Sequence, residues 1–164
     1  MSPPNDNTNT SAKRRDPLTA FCFSLTVAGI IDDPKTAFFK SVSGLKSESE
    51  VVPYREGGLN THQHALVGPT KWPNLVLKRG FVAKGYELLK WREAWATEAP
   101  GQSLIRRAGK IIQYDSELQP VCSWEFLDGW PCKWEGPDFD GSKTELAIES
   151  IEIAHSGLFF KESG

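Results

Sequence analysis

Along most of this chain, apolar and polar residues alternate with a period of two. From Leu18 onward, Phe21, Phe23, Leu25 and Val27 fall on one side and Cys22, Ser24, Thr26 and Ala28 on the other, which predicts a half-buried strand. Residues 29–34 form a turn, with Asp32-Asp33-Pro34 as its stop signal. A second strand is expected over Ala37–Val42 and ends at Ser43-Gly44. Lys46–Val52 and Thr61–Leu66 are strand-like but polar, and they flank Tyr54-Arg55-Glu56-Gly57-Gly58. They predict a long hairpin with a charged tip, whose paired glycines allow positive φ. Glu48 and Glu50 point the same way, and two like charges cannot share a dry core, so that side is wet or at an interface. Further strands are expected over Trp72–Val82, Lys110–Tyr114, Val121–Leu127 and Trp130–Trp134. The last expected strand, Glu145–Ala154, breaks phase between Leu146, Ile148 and Ile151, Ile153. A β-bulge near Glu149-Ser150 would return all four to one face.

Gly85–Glu98 departs from this period. Leu88, Trp91 and Trp95 fall at i, i+3 and i+7, one face of a helix, and Pro100-Gly101 lies just beyond its end. About seven or eight strands and one helix, without helix–strand alternation, predict a mainly β fold. The expected architecture is an antiparallel β-barrel or sandwich with one α-helix at about residues 85–98.

Composition sharpens this outline in three places. Residues 1–15 are rich in Pro, Asn, Ser and Thr and read as a flexible arm, leaving 16–164 as a single domain with room for a core. A net charge of −2 lacks the basic bias of a nucleic-acid binder. Lys13-Arg14-Arg15 is followed by no apolar segment of signal-peptide type, and no run is long enough for a membrane anchor. Synthesis in the cytoplasm without a signal peptide is therefore expected. Three cysteines, Cys22, Cys122 and Cys132, without CxxC spacing fit free thiols in a reducing compartment.

Candidate chemistry is sparse. His62 and His64 share one side of a strand but have no evident third ligand for a metal. Asp138-Phe139-Asp140, with Glu149 at the twelfth position, resembles the start of a calcium loop, but Lys143 stands where the sharp turn needs Gly. His155-Ser156 lacks a nucleophile elbow, and neither a Walker loop nor a dinucleotide fingerprint is present. No catalytic residue, metal or cofactor is expected, so the chain reads as a non-enzyme. Trp124, Trp130 and Trp134 would suit a carbohydrate-binding module, but Trp124 alternates into the core, and Trp130 and Trp134 are better read as interface anchors.

The order of motifs carries a resemblance. Asp16-Pro17-Leu18 with Phe21 and Phe23 is followed by Phe39 to Leu45, then Tyr54 to Gly58, Gly68 to Trp72 and Leu77-Lys78-Arg79-Gly80. Trp124-Glu125-Phe126, Trp130 to Trp134 and Ala147 to Ala154 complete the series. Over roughly 16–160 the chain resembles the tube proteins of contractile phage tails and phage-tail-like contractile injection systems. The resemblance implies a β-barrel tube fold and hexameric rings, stacked into a hollow tube inside a contractile sheath. Its implied partners are further copies of the chain, the sheath protein, baseplate or hub and tube-terminating proteins, and cargo in the lumen. The implied destination is an assembled tail or tail-like particle, released by lysis where it is released. A minor baseplate-proximal tube subunit is the alternative within the family, and a carbohydrate-binding β-module the alternative outside it. The hairpin residues Tyr54, Arg55, Glu56, Gly57 and Gly58, with Trp130 and Trp134, are expected to join subunits or rings. Glu48, Glu50 and Lys78, on polar strand faces, are expected to line the lumen or, alternatively, to face outward beneath the sheath. The arm before Asp16 is longer than the family core requires.

Overall fold

The computed structural model describes residues 22–55, 57–58, 63–81, 86–97, 105–142 and 147–162. The arm at 1–15, Glu56, His62, Pro100-Gly101, Lys143 and Leu146, each singled out by the sequence, lie outside the described residues.

The period-two segments form strands β1 (Cys22–Val27), β2 (Phe38–Phe39), β3 (Ser41–Ser43), β4 (Glu48–Tyr54), β5 (His64–Lys71) and β6 (Leu75–Gly80). After helix α1 (Glu87–Thr97) come β7 (Arg107–Tyr114), β8 (Pro120–Glu135), β9 (Ile148–Ala154) and β10 (Gly157–Glu162). Every pairing is antiparallel. Eight strands form one sheet in the order β2-β1-β7-β8-β9-β6-β3, with β10 added to β8, while β4 and β5 stand apart as a two-stranded sheet.

The two ends of the large sheet, β2 and β3, are consecutive in the chain. Lys40 separates them, and its N–H still reaches the Lys78 carbonyl oxygen at 2.9 Å. The strand expected over Ala37–Val42 is thus two short strands that pair with β1 and with β6, closing the sheet into a barrel. A closed sheet leaves fewer bare edges. Leu25, Val27, Phe39, Leu75, Leu77, Ile111, Phe126, Ile151 and Ile153 fill the interior. Helix α1 buries Leu88 and Trp91 against this core, and Trp95 packs at its margin, as the helical spacing predicts.

The two strands expected over Val121–Leu127 and Trp130–Trp134 are one sixteen-residue strand, β8. Its first half lies between β7 and β10, and its second half pairs with β9. Between the halves, Asp128 takes φ 53°, and the chain turns from one side of the barrel to the other without ending. Phe126 makes the bend compact. A Cβ at Gly109 or at Gly129 would overlap its ring, so both neighbours must be glycine.

The expected bulge at Glu149-Ser150 is absent. β9 pairs with β6 in unbroken register from Leu75↔Ile153 to Gly80↔Ile148. The inward residues are Glu149, Ile151 and Ile153, and Ile148 is 49% exposed. The apparent phase break reflects a buried carboxylate. Strand β10 has no counterpart in the sequence-based expectation, because Gly157–Glu162 shows no period-two alternation.

Candidate assembly surface

The hairpin lies where the polar pattern of its flanks predicts it. Every residue of β4 and β5 is exposed except half-buried Gly68. Tyr54↔His64, Pro53↔Ala65, Val52↔Leu66 and Val51↔Val67 oppose one another, then the register shifts before Ser49↔Thr70. Glu50 opposes both Gly68 and Pro69 at the shift, so the extra residue is in β5. Gly68 is required there, since a Cβ would come within 2.7 Å of the Glu50 carbonyl oxygen. At the base, Lys71 reaches Glu50 at 3.6 Å, and Ser49 and Thr70 hydroxyls meet at 3.0 Å. At the tip Tyr54, Arg55, Gly57 and Gly58 are exposed, and Gly58 has φ 103°, a conformation other residues rarely adopt.

The three residues expected in the lumen lie on two different sheets. Glu48 and Glu50 belong to the hairpin, whereas Lys78 belongs to the barrel wall. Register places Ser41, Lys78, Ser150 and Glu135 in one row across β3, β6, β9 and β8. Glu135 accepts from Ser150 Oγ at 3.1 Å and pairs with Lys133 at 2.6 Å. These hydrogen bonds and the Lys133 charge hold the Glu135 carboxyl below the usual carboxylate range, and Glu135 in turn raises Lys133. The row is polar and of mixed sign.

Trp130 and Trp134 are half-buried and engaged within the subunit. Trp130 stacks on Trp95 of α1, with ring centroids 5.3 Å apart. Trp134 donates its indole N–H to Glu149 Oε2 at 3.2 Å. Trp124 meets Phe160 edge-on at 5.6 Å, so the three tryptophans present no common stacking platform.

Sequence reasoning missed the pair beneath them. Arg79 on β6 and Glu149 on β9 are directly opposed, both inside the barrel, and joined by a charge-assisted hydrogen bond. The Arg79 guanidinium also lies over the Phe39 ring at 5.6 Å. Four strands therefore meet at one buried charge pair. The phase break at Glu149 is its sequence signal, and it marks a buried carboxylate rather than the expected bulge.

The remaining candidates are drawn into structural roles. Glu149 is buried away from the Asp138–Asp140 loop, where Asp140 instead accepts from Ser142 and is held below the usual aspartate range. His155 contacts the Gly157 and Pro73 carbonyl oxygens, both at 3.0 Å, while Ser156 donates to Asp128 at 2.7 Å. The histidine therefore does not face the serine as a base would. Among the described residues no cluster of ligating side chains could hold a metal. Burial raises all three thiols, Cys22, Cys122 and Cys132, and each is free. Among the described residues no helix is long and apolar enough to cross a membrane.

A barrel with one helix and a detached hairpin has known counterparts. The family model of the T4-like virus tail tube protein gp19 matches residues 19–159. The chain belongs to this tail tube family. Its fold is shared with a chain of the extracellular contractile injection system PVC sheath–tube complex in the extended state. That match has TM-score 0.74 and 20% identity, and covers 92% of this chain and 95% of the other. The anti-feeding prophage tube-terminating cap gives TM-score 0.74 at 18% identity, over 97% of this chain and 100% of the other. Hcp1 from Flavobacterium johnsoniae is more distant, with TM-score 0.50 and 16% identity over 87% of this chain and 97% of the other. No curated protein sequence matches the chain. As a tail tube family member with this fold, the chain is a structural tube protein.

Proposed function

We propose that this chain is the main inner-tube subunit of a contractile tail or injection particle. Hexameric rings of residues 16–164 stack into a hollow tube, a sheath surrounds it, and the lumen carries cargo. Family membership over residues 19–159 supports this, together with an exposed hairpin whose strands, among the described residues, pair only with each other. Relatives described as a sheath–tube complex, a tube-terminating cap and a baseplate support sheath, terminator and baseplate proteins as partners. The work is mechanical, and catalysis has no part in it. Each ring closes by repeating one heterologous contact, in which different surfaces of neighbouring copies meet.

The hairpin tip supplies contacts between subunits or rings, through Tyr54, Arg55, Glu56, Gly57 and Gly58. Trp130 and Trp134 brace the barrel end beneath α1 and so hold the joining surfaces in place. The mixed-sign row containing Lys78 is the wall we assign to the lumen, where neither sign of cargo would bind tightly; Glu48 and Glu50 go with the joints instead. The subunit does its work only as part of an assembled particle.

Electron microscopy of the concentrated protein tests the proposal. Six-fold rings and stacked tubes are expected. A protein that stays monomeric at every concentration, with sheath and baseplate proteins present, would overturn it. Arg55→Ala combined with Glu56→Ala should leave a folded subunit that assembles poorly.

A further inference from the structure

Two linkers join the β4–β5 hairpin to the barrel: residues 44–47 lead into β4, and residues 72–74 lead out of β5. They run side by side, since a Cβ at Gly44 would overlap the Asn74 carbonyl oxygen. Two side chains of the barrel fasten the second linker. Glu152 of β9 accepts from Asn74 Nδ2 at 2.7 Å. His155, in the turn between β9 and β10, meets the Pro73 carbonyl oxygen through Nε2 and the Gly157 carbonyl oxygen through Nδ1, both at 3.0 Å. The rings of Trp72 and Phe126 lie beside the half-buried imidazole, with centroids at 6.1 and 6.3 Å.

Both of these His155 partners are acceptors. A neutral imidazole has one N–H and one lone pair, and only the doubly protonated ring donates from both nitrogens. Loss of a proton therefore sets a lone pair against one of the two carbonyl oxygens. Gly157 is two residues away on the same turn and stays beside Nδ1. Pro73 is eighty-two positions away, on a separate linker, so its contact is the one that gives. The charged groups on the elements around the ring are engaged elsewhere: Lys71 with Glu50, Glu125 with Lys161, Asp128 with Ser156 and Glu152 with Asn74.

We propose that His155 is a proton-dependent clasp on the root of the hairpin. With both ring nitrogens protonated, it ties Pro73 to the β9–β10 turn. When Nε2 loses its proton, the linker is released and the hairpin gains freedom to swing on the barrel. The grip is complete at low pH and is lost as pH rises through the ring's own titration. All the parts lie within one subunit, so the clasp works with or without assembly.

Two mass-spectrometric readouts on the dilute full chain test this. Deuterium exchange at the imidazole C2 position follows the titration of His155, and hydroxyl-radical footprinting follows the exposure of Trp72. Trp72 oxidation should rise about threefold or more as pH passes upward through that titration, because a charge-assisted hydrogen bond is lost. His155→Gln, whose amide does not titrate, should show no such step. Trp72 oxidation that stays flat across the His155 titration would overturn the proposal, as would a step that persists in the variant. If circular dichroism shows the variant unfolded, the unaltered chain alone still decides.

Discussion

At the scale of single residues, the Arg79–Glu149 pair gives the sharpest test of how the barrel is held. Both side chains are almost wholly buried, at 6% and 4% exposure. Breaking a buried pair by removing one partner typically costs about 3–5 kcal/mol. Glu149→Ala should therefore lower the denaturation midpoint sharply. Replacing both partners by apolar residues of similar volume should recover much of that loss. Equal stability of the single and double variants in urea titration would show that the pair is not coupled. Glu135 offers a second test, through pH. Its carboxyl titrates lower when folded, so its contribution is complete above the ordinary carboxylate range and disappears as pH falls through the lowered value. Thermal unfolding of Glu135→Gln should differ from the parent near neutral pH and converge with it once the pH lies well below the ordinary carboxylate range. Little of this was legible beforehand. Alternation marks a residue as inward or outward, but an inward Glu mimics a shift of phase until its cation, seventy positions away, is known.

At the scale of elements, the chain announces itself where one face is wet. β1, the hairpin and α1 all follow their predicted patterns, since an apolar stripe beside polar positions fixes the period. β8 was harder. Gly129 reads as a break, yet its absent side chain makes room for Phe126 and the strand continues. β10 was missed because its aromatic pair, Phe159 and Phe160, lies on opposite faces and is exposed on both. Among the described residues its pairing partner is β8 alone. A chain ending at Ser156 should bare the β8 edge from Cys122 to Leu127 and associate without order, which light scattering would detect as irregular growth. A truncated chain that remains a clear, folded monomer would show that β10 adds little protection.

At the scale of the whole molecule, the order of weak motifs identified what no single motif could. The hairpin tip, the Gly68–Trp72 segment and the β9 run are each unremarkable alone, but their sequence over the domain matches the tail tube family. The detachment of the hairpin from the barrel was legible as polarity in Lys46–Val52. The exposure of Val51, Val52, Leu66 and Val67 within it was not, because these residues break the alternation that would assign them a face.

The closure of the barrel also sets when a subunit becomes usable. β1 must wait for β7, and β6 for β9, before β2 and β3 can seal the wall between them. Such long-range pairings are slow to form. On the ribosome, the hairpin emerges while most of its barrel is still unmade. A growing chain therefore displays the exposed hairpin before the strands that complete its barrel exist. Closure of the wall therefore waits for β9, long after the hairpin has emerged.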